Sequence, residues 1–188
     1  NSFFSNLKSI ILAIFLAILI RSFIFEPFNI PSGSMKPNLL VGDFIFVSKW
    51  SYGYSRHSFP FSLPLIPNRI FDTMPERGDV AVFKTPQDNR TDYIKRIIGL
   101  PGDTLEIRRN KVYLNGVEFR EMYLFEPEFR LQPMEELIIP SGHYFVLGDN
   151  RRQSNDSRHW GLVPESDIVG RIWFIYWPFE SFSNSFKY

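Results

Sequence analysis

The sequence predicts an all-β soluble domain, with a small β subdomain inserted in it, preceded by one N-terminal transmembrane helix. Three observations carry that prediction. Ile10 to Ile20 is an unbroken apolar run, and the chain after Asp43 alternates with a period of two in short runs bounded by Gly, Pro and Asp. No amphipathic helical stretch longer than about two turns follows residue 30. In domain terms, 1–6 is a flank, 7–25 the anchor and 26–188 the β domain, with 103–142 as the insert.

The anchor comes first. About sixteen residues from Ile10 to Phe25 would span roughly 24 Å, short of a ~30 Å hydrocarbon core. Phe3, Phe4 and Leu7 close the gap, with Lys8 and Arg21 snorkelling to the interfaces. A cleaved signal peptide is the rival reading, because the apolar run is short. Against it, "RSFIFEPF" follows where small residues of the A-x-A type would stand. Pro27 is expected to end the helix. Lys8 before the span and Arg21 near its far end leave the orientation close to a tie on charge.

The strands follow. "DFIFVSKW", "GDVAVFKTP" and "DYIKRIIG" are β-branched and aromatic runs. "DTLEIRRNKVYLNGVEF" reads as two hairpins, turning near Arg109-Asn110 and at Asn115-Gly116, the latter a strong type I′ signal. "HYFVLGDN" and "DIVGRIWFIYW" complete the set. Two aromatic stretches escape this pattern: "HSFPFSLPLIPNRIF", His57 to Phe71, and the C-terminal "WFIYWPFESFSNSFKY". Each reads either as local core around irregular loops or as apolar surface resting on a lipid interface, where Trp and Phe are favoured.

Composition narrows the function. With 188 residues, 44% of them hydrophobic, the chain can build a real core. A net charge of +1, from 21 basic and 20 acidic side chains, gives no electrostatic case for a nucleic-acid partner. Cysteine is absent, which removes disulfides, thiolate ligands and a Cys nucleophile. His57, His143 and His159 are scattered and form no helical ligand pair, so no metal is expected.

Chemistry concentrates elsewhere. "IPSGSMKPNLLVGD", Ile30 to Asp43, puts Ser32-Gly33-Ser34 on a loop between Pro31 and Pro37. Such residues are ordinary in turns, so a nucleophilic serine there needs a base. Nothing places a histidine near Ser34. In "DYIKRIIG", strand alternation sets Tyr93, Lys95 and Ile97 on one face and Ile94, Arg96 and Ile98 on the other. Taken alone, Lys95 reads as a strand lysine snorkelling to solvent. As a base it must be neutral, which at pH 7 costs ~4.6 kcal/mol from a reference pKa of about 10.4. Only a desolvated pocket reduces that cost.

Lys95 does not stand alone. "RSFIFEPF", "PSGSMKPNLLVGDFIFVSKWSYG", "RGDVAVFK" with "DYIKRIIGLPGD", and "GDNRRQSNDSRHWG" occur in the order found in bacterial type I signal peptidase (leader peptidase), and the chain resembles that Ser/Lys-dyad family from about Arg21 to Arg171. No motif covers 103–142. The resemblance implies a signal-peptidase-like β fold and an endopeptidase that removes signal peptides from exported preproteins after small residues at −1 and −3, the A-x-A pattern. It implies Ser34 as nucleophile, Lys95 as general base, and Ser32 Oγ with the Ser34 N–H as oxyanion donors, with Gly33 allowing close backbone approach. It makes Ser154 the hydroxyl that orients the amine, and Asp149, Asp156, Arg96 and Arg158 supporting ion pairs. The substrate pockets would be lined by Phe28, Ile30, Pro31, Met35, Leu39, Tyr93 and Ile94, with the peptide added as a strand. Its partners would be preprotein signal peptides and the lipid bilayer, on the periplasmic face of a bacterial inner membrane, with Phe59 to Ile66 resting on the bilayer. No cofactor and no metal are implied.

Arg152-Gln153 departs from the Asp-Asn common there, which leaves the local charge open. His159 stands where an aromatic is often found and reads as packing. Two rivals remain. A self-cleaving repressor of the SOS type would share the dyad but need a DNA-binding domain and no span. A membrane-anchored β-domain could bind a partner and catalyse nothing.

Overall fold

The computed structural model describes residues 2–54, 73–124 and 131–178, and for 2–5 and 22–23 the backbone alone. His57 to Phe71, with the lipid contact expected of Phe59 to Ile66, and the C-terminal stretch beyond residue 178 lie outside the described residues.

The chain opens with helix α1, Ser2–Phe23. Its apolar side chains stay exposed, from Leu19 at 36% to Ile11 at 58%. Residues 6–21, whose side chains are described, extend roughly 24 Å, and among the described residues no helix is long and apolar enough to cross a membrane. The helix ends two residues before the expected Phe25, and Pro27 does not end it. The Lys49 N–H donates to the Ile24 carbonyl at 3.2 Å, and strand β1, Phe25–Asn29, starts at once. Pro27 sits inside β1, the edge strand of its sheet, where a missing N–H costs least.

The remaining strands are β2 (Phe44–Ser48), β3 (Val80–Lys84), β4 (Asp92–Gly99), β5 (Thr104–Arg108), β6 (Lys111–Leu114), β7 (Val117–Glu118), β8 (Met134–Ile138), β9 (His143–Leu147), β10 (Val163–Pro164) and β11 (Ile168–Trp177), with one short helix α2, Ser157–Trp160. Seven form one antiparallel sheet in the order β1-β2-β11-β3-β4-β9-β10; the other four, β7-β6-β5-β8, form a second. This second sheet lies in sequence between β4 and β9, neighbours in the first. Its expected hairpin turns are present: Arg109 and Asn110, then Asn115 and Gly116, all have positive φ, from 48° to 80°.

The core has three parts. Ile30, Met35, Leu39, Ile45, Val47 and Ile175 belong to one under the serine loop. Ile98, Leu105, Ile107, Phe145 and Leu147 belong to another that joins the two sheets. The third packs Phe83, Ile97, Tyr144 and Ile168. One detail of register matters for the site. β3 pairs with β4 from Asp92 to Arg96, placing Ala81 opposite Lys95, whereas β9 pairs with β4 only from Arg96 onward. The first half of β4, Asp92 to Lys95, therefore keeps one edge open.

Candidate active site

The serine loop is fixed at both ends by buried side chains. Ile30 and Met35 are 3% and 1% exposed, and Ile30 exchanges backbone hydrogen bonds with Gly42 and Asp43. Between them Ser32 is extended, with φ −134° and ψ 155°, and Gly33–Met35 makes a single 3-10 turn. Short polar residues favour such an N-terminal position. The Ser34 N–H, in that first turn, makes no hydrogen bond among the described residues. Ser32 Oγ lies 3.3 Å from Ser34 Oγ.

Lys95 reaches this loop from the open half of β4. Its Nζ is 2.8 Å from Ser34 Oγ and donates to the Ile94 carbonyl at 3.0 Å. Tyr93 stands beside it, the amine 5.2 Å from the ring centre. The residue is 4% exposed. Burial pushes the amine down from 10.5 to about 8, against the opposing pull of the Asp156 and Asp149 carboxylates.

The loop after β9 braces both. Asp149 accepts from Arg96 Nε at 2.8 Å and Nη2 at 2.6 Å, a buried bidentate pair. Arg96 also donates to the Gly78 carbonyl at 2.8 Å. Asp156 accepts from Arg158 at 2.7 and 2.8 Å and from the Gly148 N–H at 3.0 Å. Burial pushes the Asp156 carboxyl up, but Arg158 and the Gly148 N–H outweigh it and hold the group below the usual carboxylate range. Asn150 completes the brace. Its backbone N–H donates to the Ser34 carbonyl and its Nδ2 to the Gly33 carbonyl, both at 3.0 Å.

A cleft of about 500 Å³ opens beside Ser34 and Lys95. Phe28, Ile30, Pro31, Met35, Tyr93 and Ile94, which the resemblance assigned to substrate pockets, line it. Leu39 does not: it is fully buried in the core below, because the turn from Met35 directs it inward, away from the cleft. Ser154 lies in the loop after β9, near Gly148 and Asp156. Its hydroxyl is buried, makes no hydrogen bond of good geometry, and stands near enough to Asp156 to help hold that carboxyl low. The second hydrogen bond of the Lys95 amine goes to the Ile94 carbonyl, and none joins the amine to the Ser154 hydroxyl. Gly33 has no positive φ, and a Cβ there would meet only the flexible Lys36 side chain at 3.3 Å. His159 is exposed; the aromatic packing falls to Trp160, against Phe83 and Tyr93.

Several residues of this site escape sequence reasoning. Asn150 and Arg151 lie within "GDNRRQSNDSRHWG", where their character was visible but not their partners. Gln153, at the departure noted in that motif, lines the cleft. Asn38 lies within "PSGSMKPNLLVGDFIFVSKWSYG", again without visible partners, and Glu121 and Tyr123 carried no motif at all. Among the described residues no group of three or more His, Cys, Asp or Glu could hold a metal ion.

A mostly β chain with this arrangement matches, over residues 3–177, the family described as signal peptidase, peptidase S26, and it belongs to that family of peptidases. Signal peptidase I of Pseudomonas aeruginosa is 37% identical over 94% of this chain and 74% of its own. Signal peptidase I of Rickettsia massiliae is 38% identical over 89% of this chain and 77% of its own. The crystal structure of a signal peptidase I from Enterococcus faecalis, 36% identical, covers 53% of this chain and 97% of its own at a TM-score of 0.47.

Proposed function

We propose that the chain is a membrane-anchored serine endopeptidase that removes N-terminal signal peptides from preproteins after small residues at −1 and −3. The observation that carries this reading is the 2.8 Å separation between Ser34 Oγ and the buried Lys95 amine at the edge of an apolar cleft. The names of its relatives support the substrate class.

In this reading the neutral amine takes the Ser34 proton as Oγ attacks the scissile carbonyl. The developing oxyanion is met by the Ser34 N–H and the Ser32 hydroxyl. The lysine then gives its proton to the departing amine, leaving an acyl-serine. Water, deprotonated by the same amine, hydrolyses that ester and restores Ser34. The peptide is received as an added strand between the open edge of β4 and the chain from Phe28 to Ser32. Small substrate side chains suit the floor, because Ile30 and Met35 are already packed into the core beneath it.

The lipid bilayer enters on two features. The described apolar side chains of α1, Leu7 to Ile20, stay exposed. Next to the end of that helix, Phe25 stacks on Trp173 at 4.8 Å and meets Trp50 edge-on at 4.9 Å, while Trp50, Trp173 and Trp177 stay exposed. Amphipathic aromatic rings suit a membrane–water interface. We place the catalytic domain, with 103–142 as its inserted subdomain, on the periplasmic face of a bacterial inner membrane.

The test is cleavage of an A-x-A preprotein by the full chain in detergent, with the product's new N-terminus sequenced. Wild type cuts once, after the A-x-A, and Ser34→Ala yields no product; turnover by Ser34→Ala overturns the reading. Ser32→Ala is expected to lower kcat on the order of a hundredfold, with KM changed less than about twofold, as for loss of one oxyanion donor. A change mainly in KM would assign Ser32 to substrate binding instead.

A further inference from the structure

Residues 121–123 leave the four-stranded sheet and reach the loop that carries Asp149. Three of their groups each meet one supporting group. The Glu121 carboxylate takes both terminal nitrogens of Arg151, Nη1 at 2.7 Å. The Tyr123 ring lies 4.0 Å from the Arg96 guanidinium carbon. The Tyr123 carbonyl accepts from Asn38 Nδ2 at 3.1 Å.

All three lines end at the same place. Asn38 Nδ2 also donates to Asp149 Oδ2 at 2.8 Å, and Arg96 holds the same carboxylate. Arg151 Nε donates to the Gly148 carbonyl at 3.0 Å. Asn150, between Asp149 and Arg151, holds the carbonyls of Gly33 and Ser34. Tyr123 closes the set by donating its hydroxyl to Glu121 at 2.6 Å; burial and the Glu121 charge push that phenol far up, so it stays a donor.

We propose that Glu121 and Tyr123 are positioning residues for the peptidase reaction: acting through Arg151, Arg96 and Asn38, they hold the Gly148–Asn150 turn where it fixes the backbone of Ser34. The proposal rests on the Ser34 and Lys95 reading and extends it to a region that no motif covers. Its physical basis is charge balance in a dry place. Arg151 has no exposed side-chain surface and Glu121 only 7%. Arg96, Arg151, Asp149 and Glu121 together are neutral. Without the Glu121 charge, Arg151 becomes an uncompensated buried cation, which is costly. The Asp149 carboxylate, whose charge already favours the Arg151 cation, offers it another partner. Arg151 would then compete with Arg96 for that carboxylate and drag the turn with it.

The experiment measures kcat, KM and Tm for full-length Glu121→Gln and Tyr123→Leu in detergent, well below each Tm, with kcat expressed per folded molecule. Both are expected to lose about tenfold or more in kcat with KM within about twofold. Lys111→Gln breaks an exposed pair with Glu118 on the same sheet and should match wild type in all three quantities. Ser34→Ala is run alongside. If it cleaves, the site reading itself fails. If it is silent while Glu121→Gln and Tyr123→Leu keep wild-type kcat, or lose rate only through KM or unfolding, the positioning role is overturned.

Discussion

Lys95→Met is expected to abolish preprotein cleavage and to raise the melting temperature at pH 7. Both halves follow from one geometric fact, a buried amine 2.8 Å from a serine hydroxyl. At an ordinary pKa of 10.5, holding lysine neutral at pH 7 costs ~4.8 kcal/mol; at about 8 it costs ~1.4 kcal/mol. The protein has met the difference in advance, through folding. Bringing the amine from 10.5 to about 8 costs on the order of 3 kcal/mol of stability. The sign can be followed along the pH axis. Below pH 8 the lysine is charged in both folded and unfolded states, so the burial cost is felt in full. As pH rises from 8 towards 10.5 the folded state has released its proton while the unfolded chain still binds one, and the cost fades. Methionine, similar in length and uncharged, escapes it. The Tm advantage of Lys95→Met should therefore be largest below pH 8 and shrink as 10.5 is approached, while the wild-type cleavage rate climbs along a limb centred near 8. A Lys95→Met protein less stable than wild type at pH 7, or one that still cleaves, would contradict this account of the site.

The reactive pair was legible through the resemblance, which rests on several motifs in order. Chemistry alone said that a serine needs a base, and strand alternation put Lys95 beside Tyr93, where it lies in the structure, but without those motifs it read as a strand lysine snorkelling to solvent. Asn115-Gly116 announced its turn because few residues accept positive φ. What stayed hidden depended on long-range packing. The resemblance put Leu39 at the pocket, yet a turn hydrogen bond from the Leu39 N–H to the Met35 carbonyl sends it into the core. Pro27 looked like a helix stop; the sheet captures the chain at Ile24 before proline has any say. Ser154 sits in the right loop, but no hydrogen bond joins its hydroxyl to the amine. Glu121 and Tyr123 were invisible because a single glutamate and tyrosine in a variable-looking stretch carry no periodicity. Their meaning comes only from buried arginines that are distant in sequence.

Gly148→Ala is expected to lower kcat a hundredfold or more while leaving the protein folded. A methyl group built on Gly148 would stand 2.1 Å from Ser154 Oγ, 2.5 Å from Ser154 Cβ and 2.6 Å from the Ser34 carbonyl oxygen. The first two contacts can be eased at residue 154. The third cannot be eased by any rotamer, because the carbonyl is backbone and Asn150 already holds it. Restoring an ordinary contact of about 3.4 Å requires residue 34 or the end of β9 to move by roughly 0.8 Å. A shift of that size at a nucleophile aligned with its base is worth about two orders of magnitude in rate, whereas overpacking by one methyl costs about 1–3 kcal/mol of stability. The two effects separate in a double variant. Gly148→Ala with Ser154→Gly removes the clash at residue 154 but not the one at Ser34, so Tm should recover in part while kcat stays low. If kcat returns to the wild-type value in that double variant, the Ser34 carbonyl is not what Gly148 protects, and the tight fit between these two loops is not what holds the nucleophile in line.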